Sequence, residues 1–345
     1  MLLTIIAAVF VFGMLVLFHE LGHFVTAKLT GMRVDEFAIG FGPKLVSVKY
    51  GETLYSIRVF PLGGYNNIAG MDPSDTEAGE HAYSAKPVWK RMVVILAGSI
   101  MNFILPIILF FGIYMISGIH TPSPEPILGE VIAGKPAAEA GLKTGDRIIR
   151  IDGQEIDSWK SFVEVVRNGE GKVYAVEFKR GNEDKTTSLI PAYDNSAKRA
   201  MVGVLGSVTT EKPGLVKSAR LAVQNTGLVM HQMLNGLAQI LTGKTAADLA
   251  GPLGVAQMAG EMAQIGFVPL LNFAALLSLN LGIINLFPIP ALDGGHFVTL
   301  LIEAVRGKPM GAKAVQYAQI VGFVLLMTLM VFATSQDFAR VFFQK

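Results

Sequence analysis

The first 23 residues read MLLTIIAAVFVFGMLVLFHELGH, and the fold turns on how that stretch is read. From Met1 to Phe18 no residue is charged, and then His19, Glu20 and His23 follow at once. An apolar run of this kind approaches the ~20 residues that a bilayer core demands of a helix. Two imidazoles and a carboxylate are costly in hydrocarbon and persist there when they bind something or do chemistry. At positions i and i+4 the two histidines share one helix face, so both can donate a nitrogen to one metal ion. Glu20, one residue on from His19, can then reach a water beside that metal. The rival readings are an anchor that happens to end in polar residues, and a signal peptide. Met1-Leu2-Leu3 has no basic residue and the apolar run leads straight into the motif, so the signal peptide lacks its parts.

The rest of the composition agrees with a membrane protein that has room for a water-exposed domain. Of 345 residues, 51% are hydrophobic and only 16% charged, with a net charge of +2. The mean hydropathy is +0.47. Nothing in that balance points to nucleic acid. Without cysteine there is no disulfide and no thiolate ligand, so a metal site must use His, Asp, Glu or Asn. Four spans are expected: about 2–27, 92–119, 267–287 and 317–334. The stretch 221–241 is interrupted by Gln224, Asn225, His231, Gln232 and Asn235, and reads as an amphipathic helix near the interface. Lys28, Arg33, Lys44, Lys49, Arg58, Lys86, Lys90 and Arg91 lie between spans one and two; Arg306, Lys308 and Lys313 lie between spans three and four. The positive-inside rule puts both loops in the cytoplasm, which places His19 and His23 near the inner end of span one.

A catalytic zinc takes three protein ligands and keeps one open position. Candidates for the third lie in the segment Asn285-Leu286-Phe287-Pro288-Ile289-Pro290-Ala291-Leu292-Asp293-Gly294-Gly295-His296. Pro288 and Pro290 end the third helix. Irregular backbone at membrane depth must be buried in protein or face water. Asp293 is expected at the depth of His23 and is the first choice; His296 and Glu303 compete with it. The alternative for Asp293 is an N-cap on the apolar run that follows.

Together these residues resemble the site-2 protease family of intramembrane zinc metalloproteases, in its bacterial RseP-like branch. The metal motifs His19-Glu20-Leu21-Gly22-His23 and Leu292-Asp293-Gly294 carry most of the likeness. Gly40-Phe41-Gly42-Pro43-Lys44, Pro61-Leu62-Gly63-Gly64-Tyr65, Gly98-Ser99-Ile100-Met101-Asn102 and Gly251-Pro252-Leu253-Gly254-Val255 extend it over nearly the whole chain. The resemblance implies Zn2+ held by His19, His23 and Asp293, Glu20 as general base, and Asn102 and Asn285 as substrate-positioning residues. It implies hydrolysis of peptide bonds within single-span membrane proteins, anti-sigma factors or signal-peptide remnants, in the bacterial inner membrane. Two departures stand out: the family's usual Gly-Pro is Gly98-Ser99 here, and there is room for one PDZ domain rather than two.

The expected architecture is a polytopic α-helical membrane protein of about four transmembrane helices. A cytoplasmic-side, membrane-associated β-hairpin follows span one, and an extracytoplasmic PDZ-like α+β domain is inserted. The strands 44–50 and 53–60 make the hairpin, whose free edge suits an unwound substrate added as a strand. In the insertion, strands over 127–132, 148–151 and 172–179 and helices over 136–140 and 158–166 are expected. A permuted PDZ fold would make Val202-Gly203-Val204 the binding loop. The expected divisions are 1–119, 122–208 for the PDZ-like domain, 209–264 for an amphipathic helical connector, and 265–345. The other function class open to this sequence is a transmembrane metal-ion transporter. That reading needs polar residues along several spans, and spans two and four are too apolar.

Overall fold

The computed structural model describes residues 1–71, 79–194, 198–245 and 250–343. The chain forms two compact units: Met1–Ile116 with Gly214–Lys345, and Ser117–Pro213 between them.

The first unit opens with α1 (Leu2–Leu29), whose composition is apolar on every side. A turn at Gly31, with φ of 76°, ends it and leads into a long antiparallel hairpin of β1 (Val34–Tyr50) and β2 (Thr53–Ile68). The expected hairpin is only its distal half. The proximal half carries Gly40 and Gly42 in left-handed conformations, and its register shifts repeatedly. Those bulges break the period-2 alternation by which a strand is read, while its pairing persists from Val34↔Ile68 outward. Then comes α2 (Val88–Ser117), apolar and carrying Pro106 inside it.

In the second unit, β3 (Ile119–Pro122) opens the insertion, followed by β4 (Leu128–Val131), α3 (Pro136–Glu139), β5 (Arg147–Ile151) and β6 (Gln154–Glu155). Next are α4 (Trp159–Arg167), β7 (Tyr174–Arg180), β8 (Glu183–Leu189) and β9 (Ala192–Asp194). Three short strands close it: β10 (Arg199–Met201), β11 (Val204–Gly206) and β12 (Val208–Glu211). The main sheet has the order β6-β5-β7-β8, and Leu128, Ile148, Phe162, Val176, Phe178 and Val202 fill the core beneath it. Buried Asp146 binds the Arg180 guanidinium through both oxygens at 2.7 Å, so the charge is paired where water is excluded. Strand β12 pairs β3 from Ile119↔Glu211 to Pro122↔Val208, which brings the two ends of the insertion side by side. This is the PDZ-like α+β unit that the sequence suggests. Strand β8, with the sequence Glu-Asp-Lys-Thr-Thr-Ser-Leu, was not expected: it is a largely exposed edge strand, so it has no apolar face to betray it.

The chain returns to the first unit with α5 (Leu215–Leu241), α6 (Pro252–Ile265), α7 (Phe267–Asn285), α8 (Asp293–Arg306) and α9 (Ala312–Phe343). Among the described residues, four helical segments are long and apolar enough to cross a membrane: α1, α2, α7 and Lys313–Phe338 of α9. Ala7, Val11 and Leu15 of α1 pack with Leu105, Leu109 and Phe110 of α2 and with Ala274 and Ala275 of α7. That shared core packs α1 and α2, which carry His19, His23, Gly98 and Asn102, against α7.

Candidate active site

The geometry is set by two helices meeting at four-residue spacing. On α1, His19 and His23 face α2; on α2, Val94, Gly98 and Asn102 recur at the same interval and face back. Gly98 sits directly against both rings: a Cβ there would come 2.7 Å from His19 Cε1 and 2.6 Å from His23 Cε1. Gly22 answers it from α1, where a Cβ would meet Met101 Cγ at 2.8 Å. Only hydrogen at these two positions lets the helices approach closely enough to seat the imidazoles between them. The rings stand nearly perpendicular, at 88°, with their Nε2 atoms 3.3 Å apart.

Asp293 arrives from the other direction. Helix α7 stops at Asn285, and the two-proline segment crosses to α8 with Ala291 at a φ of 77°, a left-handed conformation that a non-glycine residue adopts at a cost. Asp293 then occupies the first turn of α8, whose N-cap is Leu292 and which has no side-chain capping bond. Its Oδ2 lies 3.4 Å from His19 Nε2 and 3.5 Å from His23 Nε2. That oxygen is buried and has no hydrogen-bond partner, and the helix dipole favours its negative charge.

These three atoms form a near-equilateral triangle. Tetrahedral zinc with bonds of about 2.0–2.1 Å separates its ligand atoms by roughly 3.3 Å. The donor set and the orphaned carboxylate oxygen therefore fit zinc, and among the described residues His19, His23 and Asp293 are the group of His, Asp and Glu side chains that converges in this way. Glu20 lines the same cavity of about 200 Å³, together with Gly64, Tyr65, Asn66 and His296.

The other expected residues are placed as follows. His296 lies one turn beyond Asp293 and lines the cavity, with its Nε2 3.4 Å from Gln319 Nε2. Glu303 is held by Arg91 through two hydrogen bonds, at 3.1 and 2.5 Å. His231 is bonded to Asn235 on α5. Asn102 is completely buried against His19, its Nδ2 3.1 Å from His19 Nδ1. Asn285 is the last residue of α7, just before the proline segment. In the PDZ-like unit, Val202, Gly203 and Val204 line a groove with Trp159, Phe162 and Val163 of α4.

One residue was missed. Asn66, on β2, donates from Nδ2 to Glu20 Oε2 at 2.7 Å and to the Glu20 backbone oxygen at 2.8 Å. It ties the hairpin to the turn of α1 that carries the motif. A single asparagine in a strand has no spacing that marks it. The available signal was its place beside Gly63-Gly64-Tyr65, where Gly64 lies against Glu20 with a would-be Cβ 3.0 Å from Glu20 Cγ.

The sequence profile of Peptidase family M50 matches residues 7–329, a span that contains every one of these side chains. The chain belongs to peptidase family M50. Regulator of sigma-W protease RasP from Bacillus subtilis is 34% identical over 419 aligned positions, covering 98% of this chain and 99% of that one. Zinc metalloprotease RasP from Geobacillus kaustophilus is 31% identical, with 98% of each chain covered. A Clostridium acetobutylicum relative is 37% identical over 337 residues, with 97% of each covered. Among solved structures, the PDZ domain of an SdrC-like protein from Listeria innocua aligns with 26% of this chain and 99% of its own, at 25% identity and a TM-score of 0.22. This M50 peptidase is a zinc metalloprotease and a multi-pass membrane protein, consistent with intramembrane proteolysis.

Proposed function

We propose that the chain hydrolyses peptide bonds within single-span membrane proteins, with His19, His23 and Asp293 holding zinc and Glu20 acting as general base. The observation that carries this reading is the triangle of ligand atoms at 3.3–3.5 Å beside Glu20, on a helix apolar enough to cross a membrane. Bound zinc supplies a Lewis acid and lowers the pKa of a coordinated water to about 7. Glu20 takes the proton of the attacking water and returns it to the leaving amide nitrogen. Asn66 holds the Glu20 carboxylate in place for both transfers. In this reading the peptide enters the cavity beside β2 that Glu20, Gly64 and Asn66 line.

A helical substrate must unwind before its carbonyl is exposed. The edge of β2 that is not paired to β1 is the receiving surface in this reading, since Gly64 and Asn66 line the cavity there. Asn285 stands at the mouth of the proline segment and helps position the unwound strand. The Lys and Arg pattern supports a cytoplasmic hairpin, an active site near the inner face of a bacterial cell membrane, and an extracytoplasmic PDZ-like domain over 122–208. In that domain the groove lined by Val202, Gly203 and Val204 either captures the outer end of the substrate as an added strand, or the domain acts as a steric filter that passes only substrates already trimmed. The connector 209–264 joins the domain to the second half of the protease core, 265–345, whose partner half is 1–119. Anti-sigma factors and signal-peptide remnants are the substrate classes.

The test is reconstitution of the purified chain in liposomes with a panel of single-span substrates, beside Glu20→Gln. Cleavage by the wild type, and its loss in a variant that still holds zinc, supports the reading. Unchanged cleavage in Glu20→Gln refutes the assigned base. No cleavage of any substrate, with zinc crossing the vesicle wall, makes the protein a transporter.

A further inference from the structure

An imidazole that ligates a metal through Nε2 is neutral and carries its proton on Nδ1, and that N–H needs an acceptor. For His23 the acceptor is plain: Nδ1 lies 2.7 Å from the backbone oxygen of Val94. For His19 the side-chain amide of Asn102 lies 3.1 Å from Nδ1, and the Gly98 carbonyl, four residues on from Val94, is a second hydrogen-bond partner of the same ring. With Nδ2 toward the ring, a donor faces the nitrogen that must itself donate. The same arrangement leaves Asn102 Oδ1 buried without a partner. The two ends of an amide are alike in shape, so a half-turn of the group exchanges them with no change in packing. That half-turn lets Oδ1 accept the His19 N–H and moves the Nδ2 donors to where Oδ1 stood.

We infer that Asn102 is a positioning residue that acts through His19, its Oδ1 fixing the tautomer in which Nε2 ligates zinc. The inference rests on the metallopeptidase reading above. Burial argues for it over direct contact with substrate: Asn102 is 0% exposed, so its amide meets a peptide only if α2 moves. The backbone is fixed as well, because buried Ser278 of α7 donates from Oγ to the Asn102 carbonyl at 2.8 Å. Helix α2 thus faces the two imidazoles with the Val94 carbonyl, the Gly98 carbonyl and the Asn102 side chain at four-residue intervals, and Gly98 leaves room for the rings.

The experiment compares full-length wild type, Asn102→Asp and Asn102→Leu in detergent. Zinc affinity is measured by competition with a chelator, and the visible spectrum of the Co2+-substituted protein reports the ligand field. Asp keeps an acceptor for the His19 N–H, and Leu removes it. Zinc binding is expected to weaken by about 10–100-fold in Asn102→Leu, with an altered cobalt spectrum. Asn102→Asp is expected to stay within a few-fold of wild type in affinity, with an unchanged KM. If Asn102→Leu binds zinc like wild type and its defect falls on KM, Asn102 contacts substrate and the inference is overturned. Should the leucine variant fail to fold, Asn102→Asp decides alone: lost affinity overturns the inference and retained affinity with an unchanged cobalt spectrum sustains it. Failure of wild type itself to bind zinc would strike the underlying metallopeptidase reading instead.

Discussion

At the scale of single residues, the proposed function divides the site into groups that would hold the metal, one that would move protons, and others that would aim them. Each makes a different prediction. Glu20→Gln should retain zinc and lose cleavage by about 10²–10⁴-fold, the usual worth of a positioned base, as read by single-turnover assays with metal analysis of the same sample. Asn66→Ala should lower kcat while leaving zinc affinity alone, because its two hydrogen bonds go to Glu20 and none to a ligand. A fall in zinc content in Asn66→Ala would show that the hairpin supports the metal rather than the base. The ligand pair His19 and His23 was legible from spacing alone, since i and i+4 share a face. Asp293 was legible only as a candidate, because a carboxylate opening a helix is also the commonest form of cap. Leu292 is the N-cap, and Asp293 Oδ2 lies 3.4 and 3.5 Å from the two imidazoles, which favours the proposed ligand role over the cap. Asn66 was invisible because its meaning comes from a contact 46 residues away in the chain.

At the scale of elements, glycines decide how closely helices and strands approach. Gly98→Ala places a methyl group against both histidine rings and should cost the zinc site, while Gly112→Ala in the same helix meets nothing within 4 Å. The second substitution should be neutral or stabilising by about 0.5–1 kcal/mol, so thermal melting and zinc content of the pair separate crowding from helix propensity. The segment Gly251-Pro252-Leu253-Gly254 has a similar explanation. Asp337 of α9 is buried and accepts the N–H groups of Gly251 at 3.1 Å and Gly254 at 2.8 Å, capping α6 from a different helix. A Cβ on either glycine would come 2.6 Å from that carboxylate. Asp337→Leu leaves those two donors without their acceptor, and should lower stability by about 1–3 kcal/mol, measured as a drop in melting temperature. The spanning helices were legible as long apolar runs and the distal hairpin by its strand alternation. The proximal hairpin and strand β8 were not, the first because bulges interrupt its alternation and the second because an exposed edge has no apolar face.

In the hairpin, burial alone would raise the Glu36 carboxyl, but hydrogen bonds from Ser56, Arg58 and Tyr65 hold it down to about 2. Its folded value lies below the ordinary carboxylate range near 4.3, so this cluster stabilises the hairpin fully above that range. The stabilisation is lost as pH falls from about 4.3 through about 2. Hydrogen-exchange protection of the β1 and β2 amides, relative to the intrinsic rate at each pH, should therefore stay flat down to about pH 4.5 and fall below it. Early loss of protection near neutral pH would mean that another group governs the hairpin.

At the scale of the whole molecule, the chain is a membrane-embedded core into which a PDZ-like unit is spliced between α2 and α5. Pairing of β3 with β12 closes the insertion on itself, and the unit has its own core around Phe162, Val176 and Phe178. Residues 117–213 expressed alone should fold, with a single cooperative thermal transition by circular dichroism. A broad, non-cooperative melt would show that this unit depends on the rest of the chain. Composition alone made the division visible, because the apolar spans stop and a run of short polar-edged strands begins. The convergence of the first and eighth helices on one point did not follow from composition, since nothing local brings residue 293 to residue 19.

That convergence is the central claim, and X-ray absorption at the zinc edge of the purified chain tests it most directly. The wild type is expected to hold about one zinc per chain with two imidazole nitrogens and carboxylate oxygen at about 2.0–2.2 Å, and Asp293→Ala is expected to lose that metal or change its shell. Zinc bound in Asp293→Ala with an unaltered spectrum and stoichiometry would contradict the account.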